Sequence, residues 1–243
     1  MPYYRAPRSD GKRLRFLRKT LKADFHDRQR GQPYLHPLLR AEVRALVPAF
    51  ERALQALKTQ QEVRSRRIEA RNRALDEMEL YLRDFWEVLK RRVAREAQPL
   101  SLLKTYGLPS SGRVPKPTTY EGWLDAAAQV VQGDVEATAV GYAPMVNPSA
   151  EEVRLRLDEV YRRAAAVAAA ERAYDAAQAR LVQLRAEVDE AIQDVVETLR
   201  FRLRKYDAAE QRRIMHRYGA AFRYRKEEQP AYAVTSEGEK EPG

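Results

Sequence analysis

The chain has 243 residues, 33% of them charged, with no cysteine and a formal net charge of +10. The missing cysteines exclude disulfides, thiolate metal sites and cysteine nucleophiles. No apolar run approaches the ~18 residues of a membrane span, and Met-Pro-Tyr-Tyr-Arg-Ala-Pro-Arg lacks the apolar core of a signal peptide, so the expectation is a cytoplasmic protein.

Residues 1–36 hold ten Lys or Arg against three Asp, a net of +7 that accounts for most of the excess. Within them Lys12, Arg13, Arg15, Arg18, Lys19 and Lys22 are interleaved with Leu14, Leu17, Leu21 and Phe25 at spacings of three and four. That pattern predicts a basic, partly helical arm with one apolar side. With Arg28 and Arg30, these cations form a candidate polyanion-binding set. Three placements stay open: cations along a phosphate backbone, a helix lying on an anionic membrane surface, the weakest of the three, or leucines docked on the rest of the fold with the charges in water.

Residues 37–107 form the first long segment. No Gly or Pro occurs between Ala49 and Gln98, which is rare outside long helices. Val47, Leu54, Gln61, Ile68, Leu75, Leu82 and Leu89 make one heptad series, and Val43, Phe50, Leu57, Arg64, Arg71, Met78 and Phe85 the other. Together they draw one stripe on one helix, roughly 70 Å long from Val43 to Leu89. Pro48 predicts a kink in the first turns or a later start. Thr59-Gln-Gln-Glu62 has capping-box spacing, and a break there is the alternative, giving four short helices.

Residues 108–146 carry the loop chemistry. Three prolines and a glycine make 108–117 irregular. A short amphipathic helix is predicted from Thr118 with Trp123 as its anchor, ended by Gly133, followed by a second short piece over 134–140.

Residues 147–222 form the second long segment, and adding 110 to the first segment's positions recovers its stripe, from Val153 and Leu157 to Val195 and Leu199. The match is what an internal duplication gives, and also what shared helical periodicity gives. Both segments end at Tyr-Gly, Tyr106-Gly107 and Tyr218-Gly219, where glycine supplies the left-handed residue that stops a helix. Asp207-Ala-Ala-Glu210 predicts a last short helix, and residues 223–243 are polar and expected to be disordered.

The stripes are interrupted by polar residues, among them Arg64, Arg71, Glu171 and Arg185. These are candidates for fixing register or an interface, with Arg64 and Arg71 expected to meet Glu171. His26, His36 and His216 have no carboxylate three residues before them, Ser110 and Ser111 have no recognisable base, and no phosphate-loop or dinucleotide pattern occurs. The expected fold is all-α: two long antiparallel helices forming an elongated, coiled-coil-like bundle with a short helical connector. The expected function is a non-enzymatic interaction or scaffold protein, without cofactor, that self-associates or holds another helical protein. The alternative is a nucleic-acid-binding accessory protein acting through the basic arm and the mid-helix arginines.

Overall fold

The computed structural model describes residues 3–223, so the expected tail, apart from Arg223, lies outside the described residues. In chain order the elements are β1 (Tyr3–Arg5), α1 (Asp10–Gln29), α2 (Pro37–Arg95), α3 (Ser101–Thr105), α4 (Tyr120–Ala139), α5 (Ala150–Leu203), α6 (Ala208–Arg217) and β2 (Ala221–Arg223). The fold is all-α, with two long helices and a helical connector, as the periodicity predicts. The strands form one small antiparallel ladder, Tyr4 opposite Phe222, which the sequence pattern does not announce.

Helix α2 is unbroken over 59 residues. It starts at Pro37, with His36 Nδ1 accepting from the Leu38 amide at 3.3 Å, and it runs through Pro48. The expected delay at Pro48 and the alternative break at Thr59 are both absent. No glycine or proline near Thr59 supplies a turn, and the helix runs on although the stripe turns polar just beyond it at Gln61 and Arg64.

The chain divides into two compact units that do not follow the sequential halves. The first is Met1–Lys58 with Ala176–Gly243, the second Thr59–Asp175. The first unit packs α1, the beginning of α2, the end of α5, α6 and the two strands around Phe16, Leu17, Val43, Phe50, Val195 and Tyr218. The second packs the end of α2, α3, α4 and the beginning of α5 around Leu82, Phe85, Trp86, Tyr106, Trp123 and Val153. Each such side chain withdrawn from water contributes on the order of 1.5–3 kcal/mol. In the second unit α2 and α5 run antiparallel, since Glu77 meets Arg156 while Arg64 meets Glu171.

The helices of the two repeats follow one plan, α1, α2 and α3 being answered in order by α4, α5 and α6, while β1 has no counterpart strand at 113–115. Helices α1 and α4 each have 20 residues and start at positions 10 and 120. Their N-caps, Ser9 and Thr119, each accept from the amide three residues on. Their exits, Gly31 and Gly141, both have positive φ, 71° and 94°. Buried positions pair at the same step: Leu35 with Met145, Val43 with Val153, Met78 with Val188, Leu89 with Leu199. Shared helical periodicity explains matching stripes, but it does not explain matching caps, left-handed glycines and helix lengths. The structure therefore supports duplication over coincidence. Each unit combines the first helices of one copy with the closing turn of the other.

Those closing turns are the Tyr-Gly pairs. Gly107 and Gly219 have φ of 79° and 101°, a region open to glycine at no steric cost. Leu108 N donates to Leu103 O and Ala220 N to Met215 O, both at 3.0 Å, the bond pattern of a Schellman stop. The tyrosines are buried, and each carbonyl accepts from a buried side chain. Trp86 Nε1 reaches Tyr106 O at 3.1 Å and Thr20 Oγ1 reaches Tyr218 O at 2.8 Å.

One expectation is overturned at Gly133, which does not end the connector helix; α4 continues to Ala139. The glycine is there for close approach: a Cβ at that position would collide with the Thr105 carbonyl and stand 3.1 Å from the Tyr106 Cα. Its counterpart in α1 is Ala23, also buried.

Candidate polyanion-binding face

Helix α1 is held in place by its N-cap, by Phe16 and Leu17 in the core, and by ion pairs of two of the eight candidate cations, a third being paired within the helix. Arg13 forks onto Asp189 at 2.7 and 2.8 Å, a bond that lifts its guanidinium above the ordinary arginine range. Arg18 reaches Glu51 at 2.6 Å. Arg28 reaches Asp24 at 3.1 Å. Arg13 and Arg18 anchor the helix to the fold, while the Arg28–Asp24 pair lies within α1.

The other five, Lys12, Arg15, Lys19, Lys22 and Arg30, are exposed and make no ion pair among the described residues. With His26 they fall within about an 80° sector of the helix, a stripe about 27 Å long at ~1.5 Å per residue. The three aspartates of residues 1–36 do not neutralise them, because all three are engaged elsewhere. Asp10 takes the fork of Arg185 at 2.9 and 2.7 Å. Asp24 lies 2.8 Å from Arg40 as well as beside Arg28. Asp27 accepts from Tyr218 Oη at 3.0 Å and pairs with Arg217 at 3.2 Å.

Three adjoining concavities open along this stripe. The first, about 260 Å³, lies among Arg5, Arg8, Lys12, Arg15, Lys19 and His216 over Phe16 and Gly219. The second, about 460 Å³, is lined by Lys19, Lys22, His26, Arg30, His216 and Arg217. The third, about 390 Å³, lies among Leu14, Arg15, Arg18, Lys19 and Lys22. Lys19 borders all three, and no carboxylate among the described residues lines any of them. Clustered cations without counter-charge raise the local potential and draw in anions.

The duplicated plan supplies an internal control. At the α4 positions equivalent to Lys12, Arg15, Lys19, Lys22, His26 and Arg30 stand Gly122, Asp125, Gln129, Gln132, Glu136 and Val140. A helix of the same length and burial thus folds in the same setting with no cation on this stripe. The α1 charges are not required by packing.

The register candidates divide. Arg64 meets Glu171 at 3.4 Å, with both side chains partly exposed, and lies 5.6 Å from the Tyr174 ring centroid. Exposed pairs of this kind contribute at most about 1 kcal/mol. Arg71 does not join them; it covers the Tyr120 ring at 5.6 Å and donates to Asn72 Oδ1 at 2.9 Å. Arg185 ties the start of α1 to α5 through Asp10, a contact between elements of one unit that the heptad frame did not anticipate. The cavity beside Arg73, about 710 Å³, mixes Arg156, Arg162 and Arg163 with Glu77, Glu152 and Glu159, so its charges offset one another.

Sequence reasoning missed the inner polar network of Asp24, Asp27, Arg40, Arg217 and Tyr218. The signal available was the i, i+3 pair Asp24 and Asp27 in an otherwise cationic helix. Both fall on the same side of α1 as Thr20 and Leu17, and both are buried. Asp24 Oδ1 has no hydrogen-bond partner among the described residues, whereas Oδ1 of the equivalent Asp134 accepts from Tyr106 Oη at 2.9 Å and the Met145 amide at 3.3 Å. No helix among the described residues is long and apolar enough to cross a membrane. Compared with protein-family models, with curated proteins and with solved structures, the chain matches none.

Proposed function

We propose that this is a non-enzymatic helical interaction protein that holds a phosphate polyanion, nucleic acid by class, against the exposed stripe of α1. The observation that carries the reading is the uncompensated row Lys12, Arg15, Lys19, Lys22 and Arg30, absent from the equivalent helix α4. Cations spaced along a helix neutralise backbone phosphates and release counterions, which gives affinity without sequence preference. The mid-helix arginines contribute less, since Arg64 and Arg71 are occupied by Glu171, Tyr174 and Tyr120.

The test is binding of random-sequence duplex and single-stranded oligonucleotides at low salt by the full chain and by the double variant Lys19→Gln, Lys22→Gln, which copies α4. The reading expects a loss of about tenfold or more from removing two phosphate contacts. Equal binding by the variant, or no binding by the unaltered chain, contradicts it.

Self-association is a second reading with its own observation. In the second unit no residue from Thr59 to Arg73 is buried, although Val63 and Ile68 lie on the inward side and are only half covered. Sedimentation equilibrium across a concentration series tests it, and a single monomer mass throughout contradicts it.

A further inference from the structure

The first concavity differs from the other two in being floored by a buried aromatic ring packed on a backbone turn. Its floor is Phe16 against the Gly219 turn, so close that a Cβ on Gly219 would meet the Phe16 Cα at 3.0 Å. Arg5 sits in the β1–β2 ladder opposite Ala221. The Arg8 carbonyl accepts from Arg13 Nη1 at 3.3 Å, while Arg13 is itself locked to Asp189. Arg5, Arg8, Lys12, Arg15 and Lys19 line the space with His216, and Asp10, the carboxylate nearest in sequence, is turned away into the Arg185 fork. At about 260 Å³ it is smaller than the ~300–1,000 Å³ of sites that enclose a drug-sized ligand, a size for one charged group and part of what it is attached to.

In the second unit the same place is built differently. The residue equivalent to Lys19 is Gln129, whose Nε2 donates to Thr105 O at 2.9 Å and whose Cγ lies 3.1 Å from where a Cβ on Gly107 would stand. There the side chain is tied to the carbonyl just before the Tyr-Gly turn; here it is a lysine left exposed.

We infer that this concavity is a binding site for a phosphate monoester. A monoester carries about −1.5 to −2 charges at neutral pH, against one for a backbone diester, and five cations around one small floored space match the higher charge density. The inference rests on the polyanion reading of α1, because Lys12, Arg15 and Lys19 belong to both the pocket and the stripe. A strand whose terminal phosphate enters here continues along α1 toward Arg30. A free small phosphoester offers the same chemistry.

The experiment compares one oligonucleotide bearing a 5′-phosphate, a 3′-phosphate or hydroxyls at both ends, bound to the full chain and to Arg5→Gln and Arg8→Gln, which lie off the stripe. Inorganic phosphate and a nucleoside monophosphate serve as competitors. The expected result is a preference of about tenfold for one phosphorylated end, as charge-assisted contacts give, with the preference lost in both variants while hydroxyl-ended binding persists. Displacement of a fluorescent nucleoside monophosphate without any end preference assigns the same pocket to a small phosphoester. Equal affinity for all three ends together with no binding of nucleoside monophosphate or inorganic phosphate overturns the pocket and leaves the stripe intact. Failure of every oligonucleotide to bind overturns the stripe instead. Thermal melting of each variant at the unaltered chain's temperature confirms that the fold is retained.

Discussion

The hydroxyl of Tyr218 donates to Oδ2 of Asp27 at 3.0 Å, joining the turn after α6 to the inner face of α1. Both residues are buried, and Arg217 stands beside the same carboxylate at 3.2 Å. Removing the acceptor leaves a buried phenol and a guanidinium without their partner. Asp27→Ala should cost about 2–3 kcal/mol, the range for losing hydrogen bonds to a charged group, and Tyr218→Phe about 1 kcal/mol. Urea unfolding measures both, and an Asp27→Ala midpoint equal to that of the unaltered chain would show that the contact is idle.

Alkaline stability follows from the same tyrosines. Burial, followed by Asp27, pushes the Tyr218 phenol well above the ordinary tyrosine range. Burial and the bond to Asp134 do the same to Tyr106, and burial raises Tyr34 to about 12. An unfolded tyrosine ionises near pH ~10, so the folded state binds these protons more tightly than the unfolded state does. Their contribution is complete below about pH 10 and is lost as pH climbs toward the raised folded values. Spectroscopic titration should show tyrosinate absorbance lagging behind that of the urea-unfolded chain, with cooperative unfolding on further alkalinisation. Coincident titration curves would contradict the buried placement.

Two glycines should be irreplaceable for different reasons. Gly219→Ala forces a side chain into φ 101° and against the Phe16 backbone. Gly133→Ala keeps helical dihedrals but drives a methyl into the Thr105 carbonyl. Both substitutions should destabilise by more than about 1 kcal/mol. Gly11→Ala, where nothing lies within 4 Å, should be neutral or stabilising by up to about 1 kcal/mol. Thermal melts of the three variants test the contrast, and equal shifts for all would refute it.

The stripe on α1 should be dispensable for folding. Lys12, Arg15, Lys19 and Lys22 touch no carboxylate among the described residues, and substituting them should move stability by within about 0.5 kcal/mol. Arg13→Gln, which breaks the fork onto Asp189, should cost more. If the stripe variants unfolded the chain, the cations would be structural.

Much of this was readable from residue order, and the exceptions share a cause. Long Gly- and Pro-free runs, the heptad stripe and the Tyr-Gly stops are local patterns, so α2, α5 and both turns follow from sequence. The offset of 110 was visible too, but deciding that it meant duplication needed features that carry meaning only in three dimensions, such as the φ of Gly31 and Gly141. Gly133 was misread because glycine signals both a helix end and a close approach, and only the position of Thr105 distinguishes them. Only the pairing of Arg28 with Asp24, four residues before it, was legible, and the rest of the sorting of the eight cations into paired and free charges was not. It depends on Asp189 and Glu51, which lie 176 and 33 residues away from their partners.

The most direct test of polyanion binding is the salt dependence of oligonucleotide affinity for the full chain, set beside a variant with Lys12, Arg15, Lys19, Lys22 and Arg30 changed to glutamine. Each phosphate neutralised on duplex DNA contributes about −0.9 to the slope of log affinity against log salt. The account predicts a slope of roughly −3 to −5 for the unaltered chain, if most of the five cations engage, collapsing toward zero in the variant. A slope that is the same in both proteins would contradict it.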